Sequence, residues 1–245
     1  MKYLIIGASS GLGRELGEKF ASEGHHLIIV SRDKRDLEAI KSNLEIRNKV
    51  KIDILALDFS SIDEINSKLL SQKKLFENLN GIIFPIGMMF SEDNFNLDTE
   101  NIKKIIYANF ISIAFLIQKL KKYFIKQDNS CLIGFGSISG FIGRDINITY
   151  AGAKRGLESY FESLAFDKNL NKTNIQFYTL GYLETNLSFG KDLKLPRSSV
   201  KKLANLVYKN KNRKFKKIYY PRYWIIVRFL IQVLPHSILR KMNIK

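Results

Sequence analysis

Tyr150 and Lys154 are the pair in this sequence with the clearest chemistry, since Tyr150 is the one tyrosine of 11 that has a lysine four positions on. Residues four apart share one face of a helix. A free phenol ionises near pH 10, so a cation held beside it stabilises the phenolate and brings the group toward operating pH. Such a pair suits proton delivery to the alkoxide that develops when a ketone is reduced, provided a hydride donor is held at the same carbonyl. Taken singly, either residue reads equally well as part of a helix surface.

A site for the hydride carrier is written near the N-terminus. After the apolar run Tyr3 to Ile6 come Gly7, Ala8, Ser9, Ser10, Gly11, Leu12 and Gly13, then Arg14 and a stretch with helical spacing. Glycines at a strand-to-helix turn let the backbone approach a pyrophosphate, whose charge sits at the helix N-terminus. The spacing Gly-x-x-x-Gly-x-Gly differs from the commoner Gly-x-Gly-x-x-Gly, and glycines also serve ordinary tight turns. The position after a strand and before a helix favours a dinucleotide. At the end of the second apolar run an acidic residue would accept hydrogen bonds from the ribose hydroxyls of NAD; the chain has Ser31 and Arg32 there. Arg32, with Arg14, has the planar geometry to grip a 2′-phosphate, and no carboxylate stands in the way. NADP(H) is the predicted cofactor, against the alternative that both arginines are solvated surface charges.

These residues need a scaffold, and the chain spells one out. Apolar runs bounded by turn signals occur at Tyr3 to Ile6, His26 to Val30, Ile52 to Leu57, Gly81 to Pro85, Ser130 to Phe135, Ile175 to Leu180 and Lys217 to Tyr220. They read as buried strands. Between them lie helical spacings such as Leu12, Leu16 and Phe20, or Leu37, Ile40 and Leu44. That alternation predicts an α/β fold of the Rossmann type, a doubly wound parallel sheet in a single domain with a C-terminal helical extension. The boundaries predicted are a catalytic domain over 1–221 and a basic, apolar extension over 222–245.

Composition narrows the class. With 245 residues, 45% hydrophobic and 26% charged, the chain is globular and of one-domain size, which excludes a disordered or collagen-like protein. The single cysteine, Cys131, supplies neither an internal disulfide nor a thiolate metal cluster, so no metal is expected. The first apolar run is too short for a secretory signal, and a cytoplasmic location is expected. Of the net charge of +17, 15 Lys or Arg and no Asp or Glu fall between Leu193 and Lys245. The first 192 residues hold 25 basic against 23 acidic residues. No recognised nucleic-acid-binding motif accompanies the basic segment, so nucleic acid is not an expected partner.

Taken with the glycine turn, Tyr150-Ala-Gly-Ala-Lys154 resembles the Tyr-x-x-x-Lys element of the short-chain dehydrogenase/reductase family, and the resemblance runs over nearly the whole chain. Ser137, 13 residues before Tyr150 in Gly-Ser-Ile-Ser-Gly, has that family's serine-to-tyrosine spacing, which Ser139 fits worse. Asn109, expected within a long helix, matches the family's helix asparagine. The resemblance implies an NADP(H)-dependent carbonyl reductase in which Lys154 also binds the nicotinamide ribose, Ser137 hydrogen-bonds the substrate oxygen and Asn109 holds a water in a proton relay. It implies further cofactor contacts at Asp58, Gly87, Gly181 and Thr185. Asp58 reads equally as the cap of a helix starting near Ser61, and Thr185 as a loop residue. Phe84-Pro-Ile-Gly87 departs from the family's Asn-Asn-Ala-Gly, and Leu180 replaces the usual proline. A homo-oligomer is also implied.

The substrate end is less determined. Lys191, Lys194 and Arg197 are placed to meet a phosphate or to be ordinary surface charges. Tyr223 to Leu234 is apolar apart from Arg228 and Gln232; as a 12-residue helix it would reach roughly 18 Å, short of the ~30 Å hydrocarbon core. It reads as an interfacial segment on an anionic membrane, with Tyr223 and Trp224 at headgroup depth, or else as a subunit interface. Tyr220-Pro-Arg-Tyr-Trp224 and Leu234-Pro235 are similar to the tails of membrane-associated reductases in this family, which suggests a lipid or lipid-linked keto substrate. The competing readings are a reductase of a small or nucleotide-linked carbonyl compound and a non-catalytic NADP-binding sensor.

Overall fold

The computed structural model describes residues 1–184 and 196–241. Seven parallel strands form one sheet: β1 (Lys2–Ile6), β2 (His26–Ser31), β3 (Ile52–Ala56), β4 (Gly81–Phe84), β5 (Ser130–Ser137), β6 (Thr173–Leu180) and β7 (Lys216–Tyr220), in the spatial order β3-β2-β1-β4-β5-β6-β7. The crossovers are α1 (Gly11–Ser22), α2 (Lys34–Asn48), α3 (Ile62–Ser71), α4 (Thr99–Ile106) with α5 (Ser112–Phe124), α6 (Ile148–Leu164) and α7 (Val200–Asn210). The C-terminal extension continues with α8 (Trp224–Val233) and α9 (His236–Lys241).

The strands read as unbroken apolar runs because both faces of the sheet are covered. Along β1, Tyr3 and Ile5 enter one core with Leu12, Leu16 and Phe20 of α1 and Leu203 and Val207 of α7, while Leu4 and Ile6 enter the other with Ile113 and Leu116 of α5 and Leu157 of α6. Chain direction therefore diverges between β1 and β4, which are neighbours whose following helices lie on opposite faces. A crevice at the C-terminal ends of these two strands is where such a sheet receives a ligand.

All seven expected strands are present. Two strands are longer than expected by two residues: β6 begins at Thr173, and β5 runs beyond its expected end, to Ser137, through Gly134 and Gly136. Glycines usually weaken strands. Here the rings of Phe161 and Phe177 occupy the space their side chains would fill, so the strand continues and carries Ser137 to the edge of the sheet. Cys131 is buried on the same strand, and burial pushes its thiol up to about 12.

Candidate active site

The turn after β1 is built of backbone. Gly7 has φ +85° and Gly11 φ +49°, in the left-handed region that favours glycine. Both Gly7 N and Ala8 N donate to Val30 O, at 2.8 and 3.0 Å, which ties the turn to β2. A Cβ on Gly13 would overlap the Gly7 carbonyl oxygen, so the helix closes on the turn only with glycine there. Leu12 is buried and anchors α1 in the core. Ser10 precedes α1 in extended conformation with no side-chain cap, and the amides from Ser9 to Gly13 make no hydrogen bond with any described residue. Unpaired amides at a helix N-terminus with no side chain over them fit a pyrophosphate.

At the end of β2, Ser31 is buried and its hydroxyl donates to Asp33 O at 3.3 Å. Arg32 is exposed and makes no ion pair with a described residue; Asp33 turns instead to cap α2, accepting from Arg35 N and Asp36 N. Arg14 is exposed and meets only Glu18, at 3.8 Å. The two guanidinium groups are thus open to an anion. Asp58 does not cap the next helix, as one expectation had it. Ser61 does so, accepting from Glu64 N, while Asp58 accepts from Ser60 N and Ser60 Oγ, both at 2.8 Å, in a turn of its own. Asp58 lies three residues before the cap position, which Ser61 already fills.

The residues expected to carry proton transfer converge at the C-terminal ends of β4 and β5. Lys154 is 3% exposed and donates to Ile86 O at 3.0 Å and Phe135 O at 3.2 Å, so two strand ends hold its ammonium group. Its Nζ lies 5.8 Å from the centre of the Tyr150 ring. Gly87 lies against both Lys154 and Asn109: a Cβ there would be 3.7 Å from Asn109 Oδ1 and 3.9 Å from Lys154 Nζ. Asn109 is fully buried, and its expected long helix is in fact interrupted, with α4 and α5 joined by a π-helical turn over Tyr107–Ile111. The cause is the Asn109 side chain. Its Nδ2 donates to Ile105 O at 2.8 Å and Met88 O at 2.7 Å, and its Oδ1 accepts from Met88 N at 3.2 Å, so the amide takes a helix carbonyl for itself and pins the β4 loop. Ser137 Oγ accepts from Ser139 N at 3.1 Å, so Ser139 is the donor in that turn, and Ser137 is the serine that stands beside the Tyr150 phenol.

Burial dominates the electrostatics. It pushes the Tyr150 phenol up to about 12, with the Ser137 hydrogen bond pulling the other way, and brings the Lys154 ammonium down to about 7. The expectation that Lys154 draws Tyr150 toward neutral pH is not met here: burial sets the direction, and the Lys154 ammonium is bonded to the Ile86 and Phe135 carbonyls. The phenol is held protonated at neutral pH.

Two groups of residues escaped the sequence reading. Asp93, on the loop after β4, is buried and accepts from the amides of Thr149 and Tyr150. The one sequence signal was indirect, since α6 begins Asn147-Ile148 with no acidic residue in its first turn. Glu158, one further turn along the Tyr150–Lys154 face, is buried between Lys217 of β7 and Arg228 of α8, and Arg228 also donates to Tyr219 Oη at 2.6 Å. Burial works to raise the Glu158 carboxyl; the hydrogen bonds from Lys217 and Arg228 overcome it and hold it below its ordinary value.

The C-terminal segment corrects another expectation. Trp224 is 6% exposed, so it is not available at headgroup depth. Its indole fills the space in which a Gly181 side chain would stand and meets the rings of Phe141, Tyr182 and Tyr223. The helix is ten residues long, not 12. Its other face is open, with Ile225, Ile226, Phe229, Leu230 and Val233 between 51 and 63% exposed. No helix among the described residues is long and apolar enough to cross a membrane. Thr185, Lys191 and Lys194 lie outside the described residues; Arg197 is exposed at the start of the following segment.

The profile of the family described as short chain dehydrogenase matches residues 2–194. A very-long-chain 3-oxoacyl-CoA reductase of Vanderwaltozyma polyspora is 27% identical over 192 residues, 75% of this chain and 55% of that protein. The chain thus spans little more than half the length of that relative. A hydroxysteroid 11-beta-dehydrogenase 1-like protein A of Xenopus laevis is 24% identical over 239 residues, 94% of this chain and 80% of its own. Among solved structures, a short-chain dehydrogenase from Sphingobium yanoikuyae in complex with NADPH superposes with a TM-score of 0.80 at 22% identity, covering 96% of this chain and 97% of that one.

Proposed function

Because the chain belongs to the short-chain dehydrogenase family, we propose that it is an NADP(H)-dependent oxidoreductase that reduces a ketone to a secondary alcohol on a lipid or lipid-linked substrate. The observation that carries this reading is the meeting of Tyr150, Lys154, Asn109 and Ser137 at the strand ends beside the open backbone turn at Gly7 to Gly13. Bound there, the nicotinamide would supply the hydride. The amides from Ser9 to Gly13 would hold the pyrophosphate, and Arg14 and Arg32 the 2′-phosphate; Asp58, Gly87, Gly181 and Thr185 would complete the contacts. Tyr150, kept protonated by burial, gives its hydroxyl proton to the carbonyl oxygen. Ser137 orients that oxygen, Lys154 would hold the ribose, and Asn109 fixes the loop that carries Gly87.

Two observations support a lipid-linked substrate: the relatives that act on very-long-chain 3-oxoacyl-CoA by name, and the exposed apolar face of α8 set in a segment whose charges are all basic. That combination suits peripheral contact with an anionic membrane from the cytoplasmic side, at the place where the substrate enters. The same face would also serve a homo-oligomer. Consumption of NADPH with 3-oxoacyl thioesters of increasing chain length tests the substrate class. Turnover that rises with chain length supports it, and turnover confined to short or nucleotide-linked carbonyl compounds rejects it. Sedimentation with anionic and neutral liposomes tests the surface: binding to anionic liposomes that weakens at high salt is expected, and no binding together with a dimer disrupted by Ile226→Lys and Phe229→Lys assigns the face to a subunit contact.

A further inference from the structure

The 17-residue helix α6 carries both Tyr150 and Lys154, yet it starts without the usual device for satisfying its first amides. Asn147 enters it in the left-handed conformation at φ 54°, makes no side-chain cap, and no Asp or Glu follows in the first turn. Asp93 supplies what is missing from 56 residues away. Its Oδ1 accepts from Thr149 N at 2.9 Å, its Oδ2 from Tyr150 N at 2.8 Å, and its main-chain oxygen from Ile148 N at 3.3 Å. Three consecutive amides, the last belonging to Tyr150 itself, are therefore satisfied by one residue.

This residue is 1% exposed and makes no ion pair with any described residue. A buried carboxylate without a counter-ion survives when amide donors and a helix N-terminus replace its water. Such bonds are stronger than neutral ones and leave two oxygens in a fixed fork, so they determine position as well as energy. The loop that delivers Asp93 begins at residues already bound to the other site groups: Ile86 O receives Lys154 Nζ, and Met88 exchanges two hydrogen bonds with Asn109. Eight residues, 86–93, thus touch three of the four site side chains or their backbone.

We infer that Asp93 is a positioning residue for Tyr150, locking the first turn of α6 to the β4 loop so that the phenol is held at a fixed height relative to Ser137 and Lys154. It acts through the Tyr150 backbone and does not itself touch the reacting atoms. The inference rests on Tyr150 as the proton donor, and its test is independent of which carbonyl compound is reduced.

The experiment labels tyrosine with 13C at Cζ and assigns the Tyr150 signal by its loss in Tyr150→Phe. Asp93→Asn keeps the volume while turning an amide N–H toward a donor, and Asp93→Ala removes both acceptors. The Tyr150 signal is expected to move in Asp93→Asn and further in Asp93→Ala, with the amides of Thr149 and Tyr150 exchanging at least tenfold faster. The NADPH dissociation constant should stay within twofold, because the Gly7 to Gly13 turn is untouched. A Tyr150 signal that stays in place in folded Asp93→Asn while those amides lose protection overturns the inference and leaves Asp93 a helix cap only. An NADPH affinity that falls in step with the signal overturns it also, since the whole site would then have been disturbed. Retained turnover in Tyr150→Phe would defeat the proton-donor assignment without moving the Asp93 result, so the two failures are distinct.

Discussion

The turn after β1 and the packing around α8 sit at the two ends of the chain and are made in opposite ways. The first is nearly all backbone: φ +85° at Gly7, no room for a side chain at Gly13, and amides left open by the helix start. The second is nearly all side chain, with Trp224 seated on Gly181 and Arg228 reaching across to Glu158 on α6. A backbone site tolerates any neighbour that keeps its conformation, whereas a side-chain site depends on particular residues far apart in sequence. The difference teaches that nucleotide binding and the rigidity of the substrate end are separable properties of this chain.

Removing Trp224 should produce the largest loss of stability. Trp224→Ala empties a buried site and is expected to cost about 3–5 kcal/mol, while NADPH affinity measured on folded protein stays within threefold. Equal losses in both would erase the distinction between the two regions.

Lys154 lies between them and gives a pH-dependent test. Burial lowers its ammonium to about 7, so between pH 7 and pH 9.5 the unfolded chain binds a proton that the folded protein does not. Wild-type stability should accordingly rise with pH relative to Lys154→Met by on the order of 1 kcal/mol per pH unit in that window, and the two should run parallel below pH 6. Tyr150 opposes this only above pH 10, where the unfolded chain loses its phenol proton and the folded protein keeps it to about 12. Denaturant titrations at several pH values check the slope, and parallel curves across the window contradict it.

Gly13→Ala sharpens the comparison from the other side. A methyl group there collides with the Gly7 carbonyl, and a loss of roughly 100-fold in NADPH affinity, about 2.7 kcal/mol, is expected with a smaller stability cost. The smallest effect belongs to Arg32→Ala, which removes one exposed guanidinium. Loss of that charge-assisted contact should weaken NADPH by roughly tenfold and leave NADH unchanged; equal effects on both cofactors would take Arg32 out of the 2′-phosphate site.

The strands and the glycine turn were legible because their causes are local. Seven apolar runs with turn residues between them suffice for a sheet covered on both faces, and the glycines gain their meaning from standing between a strand and a helix. The Tyr150–Lys154 pair was legible because one helical turn separates the two residues. Asp93 and Trp224 were not, because their partners lie 56 residues and 43 residues away along the chain, at Tyr150's neighbour Thr149 and at Gly181. The π-helical turn at Asn109 was hidden because it comes from a side-chain bond to the Ile105 carbonyl, made while the same amide is held by Met88, 21 residues away. Electrostatics misled in one place: spacing alone made Lys154 a strong influence on the phenol, while the burial that spacing cannot reveal decides the direction.

The measurement closest to the central claim compares wild type and Tyr150→Phe with NADPH and a series of 3-oxoacyl thioesters, following NADPH absorbance for turnover and its fluorescence for binding. Deleting the one hydroxyl should leave NADPH affinity within about twofold and lower kcat by 100-fold or more, in line with loss of a positioned proton donor. A variant that binds NADPH and reduces the same thioesters at near wild-type rates would contradict the account.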